Sequence, residues 1–280
     1  MVLSIRSLKN AVKLLLLFCF VTPGAFAKKP QESHDKILAT NYVVQNLDTG
    51  EILAEKNTEE VRSIASITKL MTALIVLDAK QDLDEKIEVI KPSTLSSKLP
   101  NKITLTRSEL LILTLMSSDN LAAKTLAMHF PGGEEWAVRA MNAKAHSIGM
   151  GHTKFVEPTG LSVFNVSTVQ DLILLLDHAE KSEIIRDYST RSHEKIKIPG
   201  KKLKFLEFRT TNRLVAEKTN IGLSKTGWIK SSGGCLVMII KEHGQRLAVV
   251  LLNSRNTHTR IRDGVLLTEY NNVRNQRNFR

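Results

Sequence analysis

Ser66 and Lys69 stand one helical turn apart in the run SITKLMTALIVL, Ser66 to Leu77, where Lys69 is the only charge. A run that is apolar nearly all round reads as a helix buried on every side. An isolated ammonium inside such a helix is costly. The amine must shed its proton or find partners, and either outcome makes a buried lysine a candidate base. The i, i+3 spacing sets Ser66 and Lys69 on one face, within hydrogen-bond reach. The amine could then take the hydroxyl proton as the serine oxygen attacks a carbonyl. The competing reading is a lysine whose stem crosses a core helix and whose head reaches solvent.

Two further clusters carry polar groups of the same kind. Ser118-Asp119-Asn120 lies between helical segments, and Lys225-Thr226-Gly227 lies inside a strand-like run. Alone, the first could simply cap the helix LAAKTLAMHF, and the second could be an edge-strand lysine before a closely packed glycine. Three clusters in three different contexts, a helix start, an interhelical loop and a strand, inform more together than apart. Other chemistries lack support. The eight histidines show no metal-ligand spacing, so no metal or other cofactor is expected. No Gly-x-Ser-x-Gly elbow occurs, and Trp228 stands where a phosphate loop beginning at Gly222 would need lysine. Cys235 reads as a packed thiol after Gly233-Gly234.

The elements that must position these clusters can be read from periodicity. ILATNYVVQNLDTGEILAEKN reads as two strands around a turn at Asn46 to Gly50, and the Ser66 helix should end near Asp78 to Asp84. A short polar connection through Lys91-Pro92 to Pro100 follows. Thr106-Arg107-Ser108-Glu109 has the form of a capping box before LLILTLM, and Ser167-Thr168-Val169-Gln170 that of another before DLILLLDHA. EEWAVRAMNAKAHSIG has helical spacing and stops at Gly149. From Asn220 short apolar runs split by SSGG and EHGQ predict three antiparallel strands, and a last helix is expected over Thr259 to Val273. A strand hairpin, a long helical insertion and three late strands predict one α/β domain whose antiparallel sheet is completed by both chain ends, with a helical subdomain over one edge. The expected division is residues 1–27, 28–273 and a basic tail, 274–280.

The first 27 residues combine Arg6, Lys9 and Lys13 with an apolar stretch around Leu14 to Val21 and then Ala25-Phe26-Ala27, the form of a cleaved secretory signal. The stretch is too short to span a bilayer. About 250 residues then remain, enough for a full core. The net charge of +12 falls to +9 when the three signal cations leave. Cys235 remains without a partner for an intramolecular disulfide in an exported protein. The excess of cations suits anionic wall or membrane surfaces. Nucleic acid is not expected, because the chain is exported and aromatic residues are sparse. Lys195, Lys197, Lys201, Lys202 and Lys204 around Pro199-Gly200 read as a solvated basic hairpin, with peripheral contact to anionic surfaces as the alternative.

Ser-x-x-Lys, Ser-Asp-Asn and Lys-Thr-Gly in this order are the signature of penicillin-recognising serine enzymes. Over nearly the whole chain after residue 27, the sequence resembles the low-molecular-mass penicillin-binding proteins, the D-alanyl-D-alanine peptidases. RSIASITKLMTALIVLD, MNAKAHSIGMGHTKFVEPTGLS and GLSKTGW carry that resemblance. VEPTGLSVFNVSTVQDL and TNIGLSKTGWIKSSGGCLVM resemble the endopeptidase type most, and the short stretch after the last strand points the same way. The resemblance implies a β-lactamase/transpeptidase-like fold and an exported, periplasmic enzyme acting on peptidoglycan stem peptides and cross-links, with β-lactams as inhibitors.

The resemblance also assigns roles. Ser66 would form the acyl-enzyme with Lys69 as proton acceptor, and Ser118 would relay a proton to the leaving amine. Asn120 would hold the substrate amide, and Lys225 and Thr226 the carboxylate beside the scissile bond. Gly227 would let the strand approach, and the backbone N–H groups of Ser66 and Trp228 would form an oxyanion hole. Lys225 is expected to help keep Lys69 neutral. The leading expectation is hydrolysis of D-alanyl-diaminopimelate cross-links. Trimming of stem peptides by a D,D-carboxypeptidase is the nearest rival, and a class A β-lactamase and a non-catalytic wall-binding receptor are more distant. Glu157-Pro158 invites the β-lactamase comparison, but Thr159-Gly160-Leu161 departs from that pattern, so Glu157 is expected to be structural.

Overall fold

NYVVQN, buried throughout except at the half-buried Gln45, makes β1 (Asn41–Asn46), and Asn46 turns the chain by accepting the backbone N–H groups of Asp48 and Thr49 on its own Oδ1. The strand β2 (Ile52–Lys56) follows, then the two-residue β3 (Arg62–Ser63) and a 3-10 turn at Ala65–Ile67 that feeds α1 (Thr68–Asp78). These elements belong to a computed structural model that describes residues 36–198, 204–242 and 244–278, side chains from 270 onward excepted. The signal-like segment 1–27 and Pro199, Gly200, Lys201 and Lys202 lie outside the described residues.

The middle of the chain continues with β4 (Lys86–Val89), β5 (Ile103–Thr106), α2 (Arg107–Leu115), α3 (Asn120–Met128), α4 (Gly133–Ser147), β6 (Val166–Ser167), α5 (Val169–Ala179) and α6 (Glu183–Ser189). The basic hairpin is β7 (His193–Ile198) with β8 (Lys204–Arg209), and α7 (Leu214–Glu217) leads into β9 (Ile221–Ile229), β10 (Gly233–Glu242), β11 (Gln245–Ser254) and α8 (Thr257–Asn278).

The five-stranded sheet has the order β2-β1-β11-β10-β9, and every pairing is antiparallel, so both chain ends complete it as expected. Successive side chains of a strand face opposite ways. Val237 and Ile239 of β10 therefore join the core shared with α1, α2 and α5, while Leu236, Met238 and Ile240 join a second core with Ile261 and Leu267 of α8. Helices thus cover both faces, and β9 is left as an edge. α1 is buried from Thr68 through Val76, as its all-apolar run predicts. Asp263 ties the ends together: its carboxylate, fully buried, accepts the Ala39 N–H at 2.8 Å and the Ser254 hydroxyl at 2.9 Å.

Three local expectations change. The polar connection after α1 contains a two-stranded pair, β4 with β5, whose alternation covers only four residues each. The capping box at Thr106 forms, with Glu109 bonding back to the Thr106 N–H. The one expected at Ser167 does not. Thr168 is the cap, accepting from Asp171 N, while the Asp171 carboxylate turns to His152 N and Thr153 Oγ1. The last helix spans Thr257–Asn278, wider than Thr259 to Val273 at both ends.

Candidate active site

The left-handed backbone at Ala65 (φ +47°) turns the chain so that Ser66 sits in the 3-10 turn, half-buried, with Lys69 one turn on and fully buried. A non-glycine residue with positive φ is strained, and here Gly160 holds it in place. A Cβ on Gly160 would lie 2.0 Å from the Ala65 carbonyl oxygen and 2.7 Å from Ser66 N. Gly227 closes the other side: a Cβ there would lie 2.9 Å from Ser66 N. The Ser66 backbone is thus held between two glycines from distant segments.

Lys69 Nζ lies 2.9 Å from Ser66 Oγ, 2.7 Å from Asn120 Oδ1 and 2.5 Å from the Thr159 carbonyl oxygen. A neutral amine has two N–H donors and one lone pair. Asn120 and Thr159 can take the two donors, which leaves the lone pair facing the Ser66 hydroxyl. Burial pushes Lys69 down from 10.5 to about 7, while the negative charges of Glu157 and then Asp119 pull it back up. The neutral amine is therefore well populated near neutrality.

Ser118 also has a left-handed backbone (φ +57°), at the bend between α2 and α3. The bend aims Ser118 Oγ at Lys225 Nζ, 2.8 Å away, and frees Asp119 to cap α3 by accepting Ala122 N at 2.9 Å. Asp119 Oδ2 accepts the Ser97 hydroxyl, so this member of the cluster builds the loop. Asn120, the first residue of α3, turns its Oδ1 to Lys69, which presents the Nδ2 side of the amide elsewhere.

On β9, Lys225 is 1 % exposed and donates to Ser118 Oγ and to its neighbour's carbonyl, Thr226 O. Its own burial, then Lys69, then Arg260 hold it well below the ordinary lysine range. For Lys69 and Lys225 alike the largest cause is burial, and the repulsion between the two buried amines disfavours their being charged together. Thr226 Oγ1 shares a 2.5 Å hydrogen bond with Thr211 Oγ1, and Trp228 is 51 % exposed just beyond. All eight residues singled out in the sequence gather where α1, the α2–α3 bend and the edge strand meet.

Sequence reasoning missed the segment that completes the site. Glu157 spends its carboxylate on the N–H groups of Thr159, Gly160 and Ser162, on the Thr159 hydroxyl and on Asn165 Nδ2. It is structural, as expected, but what it builds is the loop that brings Thr159 O to Lys69. Asn165 ties that loop to α1 through Thr68 Oγ1 at 3.1 Å. The available signal was Glu157-Pro158-Thr159-Gly160, a turn sequence with a carboxylate able to cap its own loop. Cys235 is buried, and burial pushes its thiol up, as suits a packed residue. Among the described residues no cluster of His, Cys, Asp and Glu could hold a metal ion, and no helix is long and apolar enough to cross a membrane.

The family described as D-alanyl-D-alanine carboxypeptidase, peptidase S11, matches residues 27–256. The D-alanyl-D-alanine endopeptidase of Escherichia coli strain K12 is 39% identical over 258 residues, 89% of this chain and 83% of the relative. Among solved structures, the Streptomyces K15 DD-transpeptidase superposes with a TM-score of 0.79 at 25% identity, covering 87% of this chain and 98% of that one. Penicillin-binding protein D2 from Listeria monocytogenes, in its cefotaxime-bound form, superposes with a TM-score of 0.75 at 27% identity, covering 84% and 97%.

Proposed function

The chain belongs to the S11 family of serine D-Ala-D-Ala peptidases, and from that premise we propose that it is a D,D-endopeptidase that opens D-alanyl-diaminopimelate cross-links of peptidoglycan through an acyl-enzyme on Ser66. The observation that carries this reading is the pair of serine–lysine contacts, Ser66 with Lys69 and Ser118 with Lys225, brought together beside the edge strand. The name of the 39%-identical relative favours endopeptidase over carboxypeptidase.

In this reading Lys69 takes the Ser66 proton as Oγ attacks the D-alanyl carbonyl. The oxyanion forms between the N–H groups of Ser66 and Trp228. Asn120 Nδ2 holds the substrate amide, and Lys225 and Thr226 hold the carboxylate beside the scissile bond. Ser118 gives its proton to the leaving amine and takes in its place the proton that Lys69 accepted from Ser66, so Lys69 is neutral again. The C–N bond breaks, the amine departs, and water, with Lys69 again as base, returns the acid and frees Ser66. Glu157 is excluded as a water-activating base in the manner of a class A β-lactamase, because its oxygens already serve the loop's N–H groups. Peptidoglycan lies outside the cytoplasmic membrane, so we place the enzyme's work in the periplasm. The Listeria relative has a cefotaxime-bound form, and β-lactams are expected to acylate Ser66 here.

The test incubates purified protein and its Ser66→Ala variant with labelled penicillin and with cross-linked and uncross-linked muropeptides. A persistent adduct together with loss of dimeric muropeptides, both abolished in Ser66→Ala, is expected. Loss of terminal D-Ala alone makes it a carboxypeptidase, rapid turnover of penicillin a β-lactamase. Wall binding without adduct or cleavage overturns the enzyme reading.

A further inference from the structure

Arg260, in the first turn of α8, is 6% exposed and makes no ion pair among the described residues. Its Nε is buried without a partner, and burial pushes the guanidinium down from its ordinary value. A buried guanidinium without a carboxylate is a poor device for stability. The one hydrogen bond found for it among the described residues runs from Nη1 to the carbonyl oxygen of Gly227, at 2.9 Å. The fold makes room for this contact. A Cβ on Gly234 would lie 3.0 Å from Arg260 Cβ and 2.9 Å from Asn256 O, so the glycine lets the start of α8 approach β10.

The Gly227 carbonyl and the Trp228 N–H belong to one peptide unit, and no peptide among the described residues is cis. In a trans unit the C=O and N–H point in opposite directions. With its oxygen held by Arg260 on the α8 side, the unit aims the Trp228 N–H the opposite way. A charged donor on the oxygen also draws electron density along the amide and strengthens the dipole at its N–H. On the reading given above, that N–H is one of the two oxyanion donors.

We propose that Arg260 is a positioning residue of the oxyanion hole, which orients and polarises the Gly227–Trp228 peptide from behind the sheet. This rests on the proposed acyl-enzyme chemistry. It predicts an effect only where negative charge develops on the attacked carbonyl oxygen, so binding before acylation should be indifferent to it.

The experiment uses the full protein with a penicillin, comparing wild type, Arg260→Gln and Arg260→Lys. It reads the noncovalent dissociation constant, the acylation and deacylation rate constants, and the infrared band of the acyl-enzyme ester carbonyl. Arg260→Gln should acylate and deacylate about tenfold more slowly, equivalent to about 1.4 kcal/mol, with its noncovalent affinity within about twofold of wild type. Its ester band should move to higher wavenumber as polarisation is lost. Arg260→Lys, which keeps the charge in a different geometry, should fall between, and it carries the test if the glutamine variant does not fold. A purely structural role would change the yield of folded enzyme but leave the band of the enzyme that does acylate where it is. An unshifted band and a wild-type rate in every folded variant overturn the inference and leave the peptidase reading intact. A wild type that forms no ester overturns the peptidase reading itself, and this inference with it.

Discussion

Acylation by a β-lactam should rise about tenfold between pH 6 and pH 8, because Lys69 is the proposed base and only its neutral form can accept the Ser66 proton. With its pKa at about 7, the neutral fraction is about 9% at pH 6 and about 91% at pH 8. The assay is stopped-flow acylation by a fluorescent penicillin between pH 5 and 9. A rate flat across that range, or still climbing toward the 10.5 of an ordinary lysine, would refute the assignment. Lys69→Met should lose this limb and about 10²- to 10⁴-fold in rate. Stability gives an independent check with a definite sign. Between about 7 and 10.5 the unfolded chain keeps the lysine proton while the folded protein sheds it, so stability rises with pH across that window. Below about 7 both states hold the proton and the full burial cost is present. Raising the pH from 6 to 9 should therefore stabilise wild type by about 2 to 3 kcal/mol relative to Lys69→Met, measured by urea denaturation. A difference between the two proteins that does not change with pH would contradict the buried, neutral base.

Gly160→Ala places a methyl 2.0 Å from the Ala65 carbonyl oxygen at a positive φ. It should destabilise the protein by about 2 to 3 kcal/mol in urea and slow acylation by moving Thr159 O away from Lys69; unchanged values in both would show that the loop does not brace the nucleophile. Thr211→Val removes the partner of Thr226 Oγ1. It should raise KM for the cross-linked muropeptide about threefold to tenfold while the melting temperature stays put, and an unaltered KM would remove Thr211 from carboxylate binding. Thr106→Ala breaks the capping box of α2 and should cost about 1 kcal/mol in a urea titration, with acylation at the wild-type rate.

Much of this molecule could be read directly. The all-apolar run after Ser66 required a buried helix, and short apolar runs split by turn residues in the last third pointed to three antiparallel strands. Each of the three motifs is only a few residues long, so its local geometry, i, i+3 on a helix or alternation on a strand, could be worked out from spacing. Failures occurred where the deciding partner was elsewhere. At Ser167-Thr168, either residue satisfies the capping pattern, and the choice went to the one whose Asp171 could also serve His152 and Thr153. The pair β4 and β5 was too short for its alternation to stand out.

The chain's own order of residues determined which groups are candidates for chemistry: a serine and a lysine one turn apart, a second serine with an asparagine, a lysine and a threonine on a strand. Only the tertiary structure decided what state those groups are in. Thr159 offers a backbone carbonyl, which has no side-chain signature, and it reaches Lys69 from 90 positions away. Arg260 meets Gly227 from 33 positions away, on the far face of the sheet. The charge of Lys69 depends on its burial and on the distances to Glu157 and Asp119, and that of Lys225 on its burial, Lys69 and Arg260. Desolvation and Coulomb interactions depend on position in space, and spacing along the chain does not encode it.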